Sequence, residues 1–151
     1  MPWIVDGNNV ARGGERRKVR EAALALARAE RLKVVVVFDG APPPGSPEVE
    51  HLGGVEVRYA RIADRTILAM LGSGGRGWRV VTDDRELGRR AKELGAELVP
   101  TAAFLARVRG SLARAALDGP RVEIEQELAY FSDPAQRLQG PAGRVRKRRR
   151  T

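Results

Sequence analysis

Five consecutive residues, Val34-Val35-Val36-Val37-Phe38, constrain this chain more than any other feature. β-branched side chains favour extended backbone. A run without polar alternation has no side to offer to water, so both faces of that strand must be covered. Strands covered on both faces belong to α/β folds, where helices pack on either side of a largely parallel sheet. The chain has 151 residues, enough for one domain of ordinary size with a sizeable core.

The first 110 residues supply the partners that such a strand needs. Trp3-Ile4-Val5 reads as a strand. Residues 15–32 read as a helix whose apolar face is Val19, Ala22, Ala23, Leu26 and Ala27. Residues 40–54 hold Pro42-Pro43-Pro44-Gly45 and Gly53-Gly54 and are expected to be a loop. Val55 to Tyr59 alternates like an edge strand, and a short helix is expected over Ala63 to Leu71. The glycine-rich stretch Gly72 to Gly77 breaks that helix, and Trp78 to Thr82 reads as the next strand. A helix over 84–95 has Leu87, Ala91 and Leu94 inward, with Gly95 as its stop. Glu97-Leu98-Val99 is a short last strand, and Thr101 is expected to cap a helix from about Ala102. This alternation predicts a three-layer α/β fold, a parallel sheet with helices on both faces.

The remainder has a different character. Asp118-Gly119-Pro120 reads as a turn, and 121–131 fits an amphipathic helix and a strand equally. The expected organisation is a domain over 1–110, an extension over 111–143 and a basic tail over 144–151.

Composition narrows the chemistry. The chain has no cysteine and one histidine, His51. Disulfides, thiolate zinc sites, iron–sulfur clusters and a Cys nucleophile are excluded. A His-based metal site or a Ser-His-Asp triad is disfavoured, which leaves carboxylates. Lys and Arg number 28 against 19 Asp and Glu, a net charge of +9. Such an excess favours polyanionic partners, and arginine suits bidentate phosphate contacts. Arg144, Arg146, Lys147, Arg148, Arg149 and Arg150 form the basic tail, expected to tether structured RNA such as rRNA. No stretch approaches the ~20 apolar residues of a membrane span. A soluble, cytoplasmic protein with no membrane partner is expected.

The carboxylates fall in a pattern. Val5 leads into Asp6, Phe38 into Asp39, and Val80-Val81-Thr82 into Asp83-Asp84, while Asp64 begins the helix after Tyr59. In a parallel sheet these positions share the carboxyl edge, where open α/β folds bind ligands. Clustered carboxylates raise one another's pKa values and are best tolerated with a cation. Mg²⁺ or Mn²⁺, hard ions that take oxygen ligands, are the match. Asp83 is the expected N-cap of the 84–95 helix. Asn8 and Asn9 are suited to holding a carboxylate, a water or a phosphate oxygen, and Thr82 to hydrogen-bonding a neighbouring Asp. Arg12, Arg65 and Arg85 are candidate phosphate contacts. The Gly72–Gly77 stretch lacks the Lys-Ser/Thr of a phosphate-binding Walker loop. A haloacid-dehalogenase-type reading fails because Asn8 stands where a second Asp is needed.

Four segments taken together resemble a known family: Ile4-Val5-Asp6-Gly7-Asn8-Asn9-Val10, Val36-Val37-Phe38-Asp39-Gly40, Ala63-Asp64-Arg65-Thr66-Ile67 and Val80-Val81-Thr82-Asp83-Asp84-Arg85-Glu86-Leu87. They resemble the successive motifs of the NYN domains, within the PIN-like nucleases, and most closely the YacP-like branch of bacterial endoribonucleases. That branch reads Asp-Gly-Tyr-Asn in the first motif, so Asn8 stands in place of the Tyr and Asn9 takes the Asn position. It reads Thr-Ser-Asp-Arg-Glu in the last, so Asp83 replaces the Ser and Asp84 takes the acidic position. The resemblance covers residues 2–106 and implies a PIN-like, Rossmann-like sheet and metal-dependent cleavage of RNA. It implies Asp6, Asp64 and Asp84 as metal ligands, with Asp39 as a further ligand or support. The best-studied members of the branch act on mRNA at the ribosome. Two other classes remain at this level: a non-catalytic RNA-binding or ribosome-associated module on the same scaffold, and a DNA nuclease of the flap-processing type.

Overall fold

The structure, a computed structural model, describes residues 1–72, 74 and 76–117. The expected extension beyond residue 117 and the basic tail lie outside the described residues. In chain order the elements are β1 (Trp3–Asp6), α1 (Gly7–Ala11), α2 (Arg16–Glu30), β2 (Val34–Asp39), β3 (Val49–Leu52), β4 (Val55–Ala60), α3 (Ala63–Leu71), β5 (Arg79–Val81), α4 (Arg85–Glu93), β6 (Glu97–Val99) and α5 (Thr101–Ala115). They build one six-strand sheet in the order β3-β4-β2-β1-β5-β6. Every pairing is parallel except β3 with β4.

The valine run behaves as its composition demands. β2 lies between β1 and β4, and Val34 to Phe38 are all at most 1% exposed. Because strand side chains alternate in direction, Val34, Val36 and Phe38 join one core layer with Trp3, Val5, Val57 and Tyr59, under α2 and α5. Val35 and Val37 join the other with Ile4 and Val80, under α3 and α4. The α2 stripe Val19, Ala22, Ala23, Leu26 and Ala27 is the buried face of that helix.

Two expectations are corrected here. The 40–54 stretch is not all loop, because Val49–Leu52 forms β3. β4 is consequently an inner strand, and β3 takes the edge. Leu52 pairs with Val55 across Gly53-Gly54, a two-residue hairpin loop with Gly53 at φ +59°. A Gly-Gly dipeptide between strands is the signal for that turn. Only four residues of alternation, next to a proline-rich stretch, hid it.

Helix α5 runs through residue 110 to Ala115 and packs on α2. Glu30 ties the two helices. Arg107 donates to both of its carboxylate oxygens, at 2.6–3.1 Å, and the Ser111 hydroxyl donates at 3.3 Å. The Arg107 guanidinium, joined by Ser111 and Arg114, outweighs partial burial and holds the Glu30 carboxyl below its ordinary value of 4.5. Among the described residues no helix is long and apolar enough to cross a membrane.

A group with a depressed folded-state pKa stabilises the fold above its unfolded pKa, and the effect fades as pH falls through the folded value. Glu30→Ala should therefore lower stability by about 1 kcal/mol at pH 7, a figure discounted for the partly exposed Arg107. Paired thermal melts should show the gap closing in acid, below the ordinary Glu range.

Candidate active site

The chain runs from β1 to β2 and β4 on one side, then returns to β5 and β6 on the other. Strand order therefore reverses between β1 and β5, and the carboxyl edge at that point is the ligand crevice of open α/β sheets. Asp6 ends β1, and Thr82, Asp83 and Asp84 follow β5.

β1 passes into α1 with no intervening residue. That junction needs Gly7, since a Cβ there would lie 2.5 Å from two Phe38 ring carbons and 3.0 Å from the Val37 carbonyl oxygen. The two asparagines that follow tie strand ends together. Asn8 Oδ1 accepts the Asp39 backbone N–H at 2.9 Å, holding the end of β2. Asn9 Oδ1 accepts the Asp83 backbone N–H at 2.7 Å, holding the segment after β5. The Thr101 hydroxyl donates to the same oxygen at 3.4 Å.

The aspartates divide by what their oxygens do. Asp83 is not the N-cap of α4. It accepts the Thr101 N–H at 2.9 Å and an Arg12 guanidinium N–H at 2.6 Å. The Thr101 N–H, followed by Arg12, holds its carboxyl below the usual carboxylate range. Thr101 is likewise the first residue of α5 and not its cap, which is Pro100. The α4 cap is Asp84, whose Oδ1 accepts the Leu87 N–H at 3.0 Å. Asp39 Oδ1 accepts the Ala63 N–H at 2.9 Å and so secures the start of α3.

Asp6, Asp64 and Asp84 form the charged cluster. Asp6 is 6% exposed. Burial, reinforced by the charges of Asp64 and Asp84, pushes its carboxyl up to about 6, against the hydrogen bond from Thr82. Burial and the charges of Asp84 and Asp39 raise the Asp64 carboxyl too, and Arg90 partly offsets them. The buried Thr82 hydroxyl donates to Asp6 Oδ2 at 2.8 Å and accepts the Asp84 N–H at 3.0 Å. It thus links two members of the cluster and fixes the rotamer of Asp6. Among the described residues no three His, Cys, Asp or Glu side chains close on one point tightly enough to cage an ion by themselves.

Of the arginines singled out in the sequence, Arg12 is committed to Asp83, whereas Arg65 and Arg85 are exposed beside Asp64 and Asp84. Sequence reasoning missed Arg16. Its guanidinium donates to the Asp39 carbonyl at 2.7 Å and lies 5.2 and 5.7 Å from the Phe38 and Tyr59 ring centroids. It missed Arg90, which faces Asp64 from α4. Neither position has a local signal, because each partner is set by tertiary packing.

A carboxylate cluster thus sits at the carboxyl edge of an α/β sheet, next to its switch in strand order. The chain belongs to the YacP-like NYN domain family, whose model matches residues 4–127. Its fold is similar to the crystal structure of Rae1 (YacP) from Bacillus subtilis, with a TM-score of 0.66 at 18% identity over 99% of this chain and 94% of that one. The W164L mutant of that protein aligns with a TM-score of 0.61 at 19% identity, over 91% of this chain and 96% of the other. No curated protein matches the sequence. Membership in the family carries a nuclease-like, RNA-related function.

Asp6 gives a stability test. Its unfolded carboxyl titrates near 3.8 and its folded one near 6, so between those values the folded state holds the extra proton. Stability in EDTA should fall as pH rises across that window and stay lower above it. Asp6→Asn should remove that dependence and raise stability at pH 8 by about 2 kcal/mol. Chemical denaturation of both proteins at pH 4 and pH 8 reads the difference.

Proposed function

We propose that the protein is a metal-dependent endoribonuclease that hydrolyses RNA phosphodiester bonds at the aspartate edge. The observation that carries this reading is the convergence of Asp6, Asp64 and Asp84 from three separate segments, where burial first and their mutual charge second push the carboxyls of Asp6 and Asp64 up.

The donor set fits Mg²⁺ or Mn²⁺. It consists of hard oxygens only, and among the described residues no three of its side chains group closely enough to hold an ion by themselves. Mg²⁺ commonly keeps several waters and takes one or two carboxylates together with substrate phosphates. Asp6, Asp64 and Asp84 would hold the ion, directly or through water, with Asp39 as a further ligand or as the brace of α3. When bound, the ion supplies positive charge at the scissile phosphate and lowers the pKa of water. Thr82 keeps Asp6 oriented, Asn8 and Asn9 keep the strand ends at fixed spacing, and Arg65 and Arg85 attract the substrate backbone. The Nδ2 groups of Asn8 and Asn9 donate to no described residue and remain for a phosphate or a water. Hydrolysis by this route needs no attack by the 2′-hydroxyl, so the products carry a 5′-phosphate and a 3′-hydroxyl. The substrate is RNA, with mRNA or rRNA at the ribosome as the physiological setting.

The departures from the branch's motifs at Asn8 and Asp83 favour a second reading, a non-catalytic RNA-binding or ribosome-associated module on a nuclease scaffold. Cleavage separates the two. A 5′-labelled single-stranded RNA should be cut with Mn²⁺ or Mg²⁺ and left whole in EDTA. Asp64→Asn and Asp84→Asn should each slow cutting about 100-fold or more, the scale on which losing a charge-stabilising group acts. Asn caps helices as well as Asp does, so Asp84→Asn keeps α4 intact. Equal cutting by the variants would reject this site. No cutting, on free RNA or with ribosomes present, would favour the binding module.

A further inference from the structure

The cations at the carboxyl edge fall into two groups. On the α1–α2 side they are committed within the protein. Arg12 pairs with Asp83, Arg17 with Glu15 and Glu21, and Arg20 with Glu50, while Arg16 donates to the Asp39 carbonyl. On the α3–α4 side they are not. Arg61 follows β4, Arg65 lies in the first turn of α3, and Arg85 and Arg90 belong to α4. All four are exposed, and none has a carboxylate within ion-pair distance among the described residues, Arg90 acting on Asp64 only through its charge, without pairing with it. Asp64 and Asp84 are the sequence neighbours of Arg65 and Arg85 but make no ion pair with them, being drawn into the cluster. Arg89 supplies an internal contrast on the same helix, since Glu86 and Glu93 both hold it at 2.7 Å.

An arginine without an acid partner keeps its planar fork for a phosphate. A polyanion that approaches three carboxylates needs such cations nearby, and among the described residues at this edge the exposed ones lie on one side only. We propose that single-stranded RNA runs from the aspartate edge across the α3–α4 side of the sheet, with Arg61, Arg65, Arg85 and Arg90 holding its phosphates. This route rests on the endoribonuclease reading and adds to it the direction in which substrate extends and the residues that hold it.

The test is binding of a short fluorescein-labelled oligouridylate to the whole chain in EDTA, where metal-dependent cutting is silent. Affinity is followed from about 50 to 200 mM salt. Arg61→Ala/Arg65→Ala and Arg85→Ala/Arg90→Ala should each lower the slope of log affinity against log salt by about 1.4, the single-strand value for two phosphates. The unmutated chain then loses about sevenfold more affinity than either double variant over that range. Arg89→Ala and Arg17→Ala should keep the original slope, and thermal melts confirm that every variant is folded. Unchanged slopes in both double variants overturn the route, as does an equal drop in Arg17→Ala or no measurable binding by the unmutated chain. If RNA is cut by the metal-loaded chain while the double variants keep the original slope, the route fails and the nuclease reading stands. If the slopes drop as expected but RNA is never cut, the nuclease reading fails and the route stands.

Discussion

Asn8 and Asn9, adjacent on a five-residue helix, accept backbone N–H groups from the ends of two different strands. The same kind of bond recurs around the edge. Asp39 takes an N–H from the start of α3, Asp83 from the start of α5, and Asp84 from the first turn of α4. Helix starts and strand ends leave N–H groups with no partner inside their own element. Here those groups are used to lock neighbouring segments to one another. Three carboxylates from separate parts of the chain can therefore face one another without the edge relaxing to separate them. Gly7 completes the constraint, because only a residue without a side chain lets α1 start so close to Phe38.

The acids of this protein do opposite jobs according to their partners. Glu30 and Asp83 meet arginines and N–H or O–H donors, and their carboxyls are held low. Asp6 and Asp64 meet burial and other carboxylates, and theirs are pushed up. The first pair stabilises the structure at neutral pH, and the second works against it. Perturbation of the second kind, by burial together with a specific charge partner, is a mark of candidate functional sites. The distribution of arginines follows the same division, with paired cations on the α1–α2 side and unpaired ones near the cluster.

Much of this was legible in the residues. A valine run with no polar break could only be an inner strand, and the helical stripe from Val19 to Ala27 could only be a buried face. The aspartates at strand ends pointed to one edge because a parallel sheet places those ends together. The distinction between Asp83 and Asp84 was not legible. Adjacent aspartates before a helix are equivalent as sequence, and the start of α5, far along the chain, takes the first and leaves the second to cap α4. Asn8 and Asn9 were read by what an amide is able to hold, whereas their oxygens are occupied by strand ends that only the assembled sheet brings near. The strand β3 escaped notice because four alternating residues carry little periodic signal beside three prolines.

That strand has a consequence for how the molecule behaves among its own copies. A sheet edge with free N–H and C=O groups is a template on which another chain can add. Among the described residues this sheet ends on β3, four residues carrying Glu50 and His51, and on β6, three residues beginning at Glu97. The hydrophobic valine strands lie at least one strand in from either border. Short borders, each carrying a glutamate, offer few ladder bonds and put charge in the way, so the valine run of β2 is kept from edge-to-edge growth.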